Sequence, residues 1–276
     1  MSVQRAEIGI VGAGPAGARA AELLSDLGAE VLLLDPNAPW EKPCGGGLTA
    51  GLFREMPELR ELDAVRRVTG VRLETPGIGV RLPLDAPLGV VPRLDLARWQ
   101  LDRATATGAE LLPRRVRSIR RLNDEWHLQT DGDAIHVRRL VGADGAASIV
   151  RRFASPRFRP RLAPTRVTYP GLGRRDTDEA VFRFVPGLDG YVWDFPRLDH
   201  RSVGAGVSGD NASRRVMDAT VDTYWRDLAG TTLDDAPRTG AVIGTAGYAH
   251  VYSDVGAADR ALLDQWRSSF RDRRAA

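Results

Sequence analysis

Apolar positions fall into two rhythms along this chain. Residues 7–11, apolar at Ile8, Ile10 and Val11, read as a short buried strand. A glycine-rich turn follows. Ala16, Ala20, Leu23, Leu24 and Leu27 are then spaced for one buried face of a helix, with Gly28 placed to close it in a left-handed conformation. A second buried strand is predicted over 31–34. Further on, Leu94, Ala97, Leu101 and Ala104 mark another helix, and residues 140–142 end another buried strand. Beyond that the pattern has period two. Tyr191, Trp193 and Phe195 alternate and so share one face of a strand, and 202–207 reads as the next strand. Smaller strands are expected near 71–84, a strand and glycine-rich turn at 241–247, and a helix over 257–271. The Arg/Pro-rich stretch 156–164 reads as a loop joining two lobes.

This succession predicts an α/β fold. A doubly wound nucleotide-type domain takes 1–68 and 91–155, with 239–276 returning to it. A mostly antiparallel sheet takes 69–90 and 156–238, so the two domains are interleaved. With 276 residues the chain can bury a real core, and its apolar and charged fractions, 43% and 27%, are those of a globular protein. The net charge of +3 is spread as scattered arginine pairs, which argues against a nucleic-acid footprint. One cysteine excludes an internal disulfide and a Cys-rich zinc site, and the four histidines show no metal spacing, so no metal is expected. No signal peptide or long apolar span is read, so the expected location is cytoplasmic, with peripheral membrane contact left open.

Chemistry enters with Gly12-Ala13-Gly14-Pro15-Ala16-Gly17. Gly12 permits the turn from strand to helix. Gly14 leaves room for a pyrophosphate, and Gly17 lets the helix pack closely on the strand. The helix opens at Pro15 and Ala16, and its free first-turn N–H groups, which Pro15 itself lacks, face the phosphates. Asp35 follows Gly12 by 23 residues, where a carboxylate can accept from ribose hydroxyls. The fingerprint serves NAD and FAD equally. The loop after Asp35 reads Glu41-Lys42-Pro43-Cys44-Gly45-Gly46-Gly47. It holds the chain's only lysine and only cysteine.

This loop resembles the segment after the second strand in the geranylgeranyl reductase family. These are FAD enzymes built like para-hydroxybenzoate hydroxylase. Three more segments carry the resemblance: Val91-Pro92-Arg93-Leu94-Asp95; the run from Gly142 through Ala143, Asp144 and Gly145 to Ser148 and Arg151; and Gly190-Tyr191-Val192-Trp193-Asp194-Phe195-Pro196. The second matches a motif that NAD dehydrogenases do not need, so the resemblance points to FAD. It places Lys42, Cys44 and Gly45 to Gly47 beside the flavin, with Cys44 as a candidate proton donor. Arg93, Asp144 and Gly145 fall near the FAD phosphates and ribose. Tyr191, Trp193 and Phe195 fall along the substrate pocket, and Ser148 caps a short helix.

The resemblance implies hydride transfer from reduced FAD to a C=C bond of a prenyl substrate. NAD(P)H or an electron-donor protein would reload the flavin. One family feature is missing. Where a third FAD motif carries an aspartate, this chain has Thr245, and the following proline and glycine-rich segment are absent, so the chain reads as C-terminally shortened. Two other readings stay open: an FAD-dependent aromatic monooxygenase and a non-catalytic nucleotide-binding relic. A flavin halogenase needs a lysine facing its substrate, and Lys42 lies in the flavin loop instead.

Overall fold

The computed structural model describes residues 3–172, 177–208, 213–233 and 236–246. Two sheets organise the chain. The first contains β1 (Val3–Val11), β2 (Val31–Leu34), β6 (Glu110–Leu112), β7 (Val116–Leu122), β8 (Glu125–Thr130) and β9 (Ala134–Gly142), in the order β6-β2-β1-β9-β8-β7. β6, β2, β1 and β9 run parallel, and β8 and β7 turn back as an antiparallel meander. The second sheet contains β3 (Gly47–Leu48), β4 (Arg66–Thr75), β5 (Ile78–Val90), β10 (Arg161–Thr168), β11 (Glu179–Arg183), β12 (Gly190–Pro196), β13 (Arg201–Val207) and β14 (Arg238–Ala246). Its order is β14-β10-β13-β12-β11-β4-β5-β3, antiparallel throughout except where β11 meets β4. This is the expected α/β class, with a mixed cofactor-type sheet and a mostly antiparallel partner.

Helices α1 (Pro15–Asp26) and α3 (Arg93–Ala106) cover one face of the first sheet. Ile8, Ile10, Val31 and Leu33 pack there against Ala18, Ala21, Leu101 and Ala104. Of the expected face of α1, Ala20 and Leu24 pack partly buried against this cluster, but the rest of the face is turned. Ala18 and Ala21 are buried, whereas Leu23 and Leu27 are exposed. The helix lies too close to the strands for large side chains between them, so small residues form the central contact and Leu23 and Leu27 face outward. A short helix α2 (Ala50–Glu55) follows the 41–47 loop, and α4 (Ile149–Ala154) follows β9. Helix α5 (Arg214–Ala229) lays Met217, Val221, Tyr224 and Trp225 on the far face of the second sheet, over Val192, Val203 and Ala205.

Two expectations are corrected by strand pairing. Residues 161–164 belong to β10 rather than to a loop. Pro164 is tolerated because at that position β10 pairs only with β14, and β13 joins from Thr165 onward. The segment 238–246 does not return to the cofactor sheet. It pairs antiparallel with β10 at the edge of the second sheet. The expected helix 257–271 and Gly247 lie outside the described residues.

Candidate cofactor site

Three turns meet where β1, β2 and β9 end. The Gly12 N–H donates to the Leu34 carbonyl at 2.8 Å, and the Ala143 N–H donates to the Val11 carbonyl at 2.8 Å. Gly12 has φ +99°, and a Cβ on it would lie 2.5 Å from the Ala143 carbonyl oxygen. The glycine turn therefore packs directly on the segment that holds Asp144. A Cβ on Gly17 would lie 1.8 Å from the Gly12 oxygen, which is the close packing the fingerprint predicts.

Gly14 behaves differently. A Cβ there would meet nothing within 4 Å. No side chain caps the helix that starts at Pro15, so the first-turn N–H groups of Ala16 and Gly17 lack a side-chain acceptor. An open glycine beside an uncapped helix N-terminus is a cradle for an anion. Asp35 flanks it. One carboxylate oxygen accepts the Ala13 N–H at 3.0 Å and the other accepts the Asn37 N–H at 2.9 Å. Each oxygen keeps a lone pair for a ribose hydroxyl. Asp144 accepts from Ser148 Oγ and from the Ile149 N–H at 2.6 Å, and Ser148 Oγ in turn accepts the Arg151 N–H at 2.8 Å. Ser148 is thus the cap read from the sequence, and Asp144 anchors it. Gly145 supplies the left-handed turn between them, with φ +73°.

The 41–47 loop lies between this cradle and the second sheet. Cys44 Sγ accepts the Gly46 N–H at 3.2 Å and Arg93 Nη1 at 3.4 Å. The Cys44 carbonyl accepts Ser202 Oγ at 3.0 Å and Arg197 Nη2 at 3.4 Å. The glycines are needed first for protein contacts. A Cβ on Gly45 would lie 2.6 Å from the Phe195 ring, and one on Gly46 would lie 2.1 Å from the Val91 carbonyl oxygen. Gly47 pairs with Val90 in β3. Lys42 is half-buried and has no ion pair among the described residues.

Arg93, Cys44 and Gly45 to Gly47 are therefore brought together, and the structure joins Phe195 and Trp193 to them. Both rings are buried, with Val68, Val90, Val167 and Ala180 around them, and Trp193 Nε1 donates to Ser202 Oγ at 3.2 Å. Tyr191 lies on the same face but is exposed.

Sequence reasoning missed Glu41, Tyr169, Arg197 and His200. Arg197 is 1% exposed. Its Nη2 donates to Glu41 Oε1 at 2.8 Å, its Nη1 lies 3.2 Å from His200 Nε2, and its guanidinium stacks 4.7 Å from the centre of the Tyr169 ring. Arginine can only donate, so His200 Nε2 accepts and Nδ1 carries the proton shared with Asp199. Glu41 Oε2 accepts the Leu94 N–H, at the N-terminus of α3 where a carboxylate is favoured. Burial, and next the adjacent Glu41 carboxylate, push the Tyr169 phenol well above its ordinary range, so it stays neutral. Its hydroxyl and the Nε of Arg93 are buried without hydrogen-bond partners among the described residues. Arg197 directly follows the aromatic strand. That adjacency was its only sequence signal.

An open glycine, an uncapped helix and a flanking acid at the carboxyl ends of parallel strands define a dinucleotide-binding protein. A family model described as FAD binding domain matches residues 5–162, and the chain belongs to that family. The site fits FAD. The chain is similar to a geranylgeranyl diphosphate reductase of Rhodobacter capsulatus, 31% identical over 245 residues, covering 83% of this chain and 60% of the relative. It is also 31% identical over 263 residues to a menaquinone reductase of Mycobacterium tuberculosis, covering 81% and 60%. Among solved structures it resembles a geranylgeranyl bacteriochlorophyll reductase-like protein from Thermoplasma acidophilum, with a TM-score of 0.76 at 20% identity over 88% of this chain and 67% of that one. The chain thus spans about 60% of the length of these curated relatives. No helix among the described residues is long and apolar enough to cross a membrane.

Proposed function

We propose that the protein is an FAD-dependent oxidoreductase that reduces a C=C bond in a prenyl substrate. Reduced FAD supplies the hydride when bound. The chain's own residues bind, orient and exclude water. The Gly14 turn and the α1 N-terminus hold the pyrophosphate, Asp35 holds ribose hydroxyls, and Asp144 with Gly145 keeps the adjoining turn in register. Arg93 offers its unpartnered Nε to the cofactor and holds Cys44 with Nη1. Lys42 and Gly45 to Gly47 border the flavin. Cys44 Sγ carries the proton that completes alkene reduction.

The observation that carries the prenyl reading is an apolar sheet face running outward from the loop. Phe195 touches Gly45 and lies 5.0 Å from Phe182, and Phe182 lies 5.5 Å from Tyr191. By register, Phe182 stands beside Leu73 and Leu73 beside Val80. Ile78 and Val80 are 67% and 52% exposed, so the apolar track reaches the surface. A long hydrocarbon chain matches such a track, and a small phenol does not. The same exposed strand suits peripheral contact with a membrane that stores prenyl lipids. NAD(P)H or an electron-donor protein reloads the flavin.

The test has an anaerobic arm with the prenyl substrate and an aerobic arm with the aromatic acid. FAD-loaded protein is reduced with dithionite and given geranylgeranyl diphosphate or a hydroxybenzoate with NADPH. Flavin reoxidation with a gain of two hydrogens in the prenyl product is expected. Hydroxylation of the aromatic acid in air, with no prenyl reduction, would replace this reading with the monooxygenase one.

A further inference from the structure

The β8–β9 pair carries a second constellation, remote from the cofactor cradle. His127 and His136 stand directly opposite each other across the two antiparallel strands. Their rings are stacked, with centroids 3.7 Å apart. Glu125 lies two positions before His127 and so on the same face of β8. Its Oε2 is 4.0 Å from His136 Nδ1. That gap is too long for a hydrogen bond. The ligand atoms of the three residues all lie within 4.8 Å of one another.

A second observation points to a missing partner. His136 Nδ1 is buried and has no hydrogen-bond partner among the described residues. Buried polar nitrogens are normally satisfied, and a neutral imidazole nitrogen with a free lone pair is a metal ligand. Metal–ligand bonds of about 2.0–2.2 Å at a tetrahedral angle place two donors roughly 3.4 Å apart. Closing the present gap needs only a ring rotation and a small shift of Glu125, whose side chain is 40% exposed.

The geometry points to a site for a divalent transition ion, zinc above all, held by Glu125, His127 and His136. Two imidazoles and one carboxylate suit zinc, nickel or copper, whereas magnesium and calcium favour all-oxygen sets. Arg120 and Arg5 continue the row on either side, opposite His127 and His136 respectively. Both are exposed, so water screens them. The role is structural. Arg5 precedes the end of β1 by six residues, about 20 Å along the strand, so the ion lies far from the Gly12 turn. Zinc there ties the meander of β8 and β9 together.

Zinc chloride alone is titrated calorimetrically into metal-free protein. Saturable binding is expected, with a rise in Tm of about 3–5 °C at tenfold excess over Kd. Magnesium should do neither. His136→Gln and Glu125→Gln should each weaken zinc binding by about tenfold or more and leave FAD titration unchanged. In the wild-type protein, zinc should shield His127 and His136 from diethyl pyrocarbonate, mapped by mass spectrometry. That readout stands even where a variant folds poorly. Absence of zinc binding, equal binding by the His127→Gln/His136→Gln double variant, or loss of binding in Cys44→Ser instead would overturn the site.

Discussion

The Glu41 carboxylate lies 2.8 Å from the guanidinium of Arg197, a residue 156 positions later in the chain. The pair joins the loop after β2 to the turn after β12. Glu41 also holds the start of α3 through the Leu94 N–H, and Arg197 also reaches the Cys44 carbonyl. One ion pair thus fixes the cysteine loop against the cofactor sheet's helix and the aromatic sheet together.

Arg197→Met removes the buried cation and leaves Glu41 with one partner. Stability should fall by about 2–3 kcal/mol, less than the 3–5 of a fully buried pair because Glu41 is 27% exposed. Urea unfolding measures the loss. Cys44 should also react faster with a thiol reagent, because Arg197 no longer holds its carbonyl.

Two glycines three residues apart in the fingerprint should separate folding from binding. Gly14→Ala places a Cβ in open space and starts from φ −70°, so it leaves the melting temperature nearly unchanged. That methyl group intrudes where the pyrophosphate belongs, and FAD affinity should drop by about tenfold or more, 1.4 kcal/mol. Gly17→Ala collides with the Gly12 oxygen and should cost about 1–3 kcal/mol of stability before any ligand is added.

Glu22 joins α1 to α3. It meets Arg103 at 2.6 Å and Arg19 at 2.7 Å. Burial pushes its carboxyl up, but the hydrogen bonds from Arg19 and Arg103 outweigh that and hold it below its ordinary 4.5. A carboxylate lowered in the folded state adds stability above its unfolded pKa, and this is lost as pH falls through the folded value. Glu22→Gln should therefore cost about 1–2 kcal/mol at pH 7, since both arginines are about one-third exposed. The gap to wild type should narrow on acidification below about pH 4, in urea titrations at stepped pH.

Tyr224 donates to Asp194 at 2.7 Å, and Asp194 is also held by Arg201 at 2.6 Å, all three buried. Burial, with Asp194 adding to it, raises the phenol well above its ordinary range. Tyr224→Phe should destabilise by about 1–3 kcal/mol, because it withdraws a donor from a buried carboxylate. A variant as stable as wild type in thermal unfolding would show that Asp194 is satisfied without it.

The sequence was most legible where chemistry is local. The Gly12 to Gly17 turn, the strand 31–34, Asp35 and the Ser148 cap depend on neighbours within one or two turns of chain, and each is found where its pattern places it. What depends on pairing was hidden. The strand 238–246 carries no mark of which sheet it joins, and its register with Arg161–Thr168 decides that. Leu23 and Leu27 have helical spacing, yet close packing of α1 selects Ala18 and Ala21 instead. Glu41 and Arg197 look like surface charges until the fold buries them. His127 and His136 lack metal spacing along the chain because their proximity comes from the β8–β9 hairpin.

The central claim is that the cradle at Gly14 binds FAD. The most direct measurement is a fluorescence titration of FAD with the purified protein, run beside Gly14→Val. Saturable quenching by the wild-type chain, and its loss in a Gly14→Val variant that melts at the same temperature, is the predicted result. No binding by the folded wild-type protein, or equal binding by both, would contradict the account.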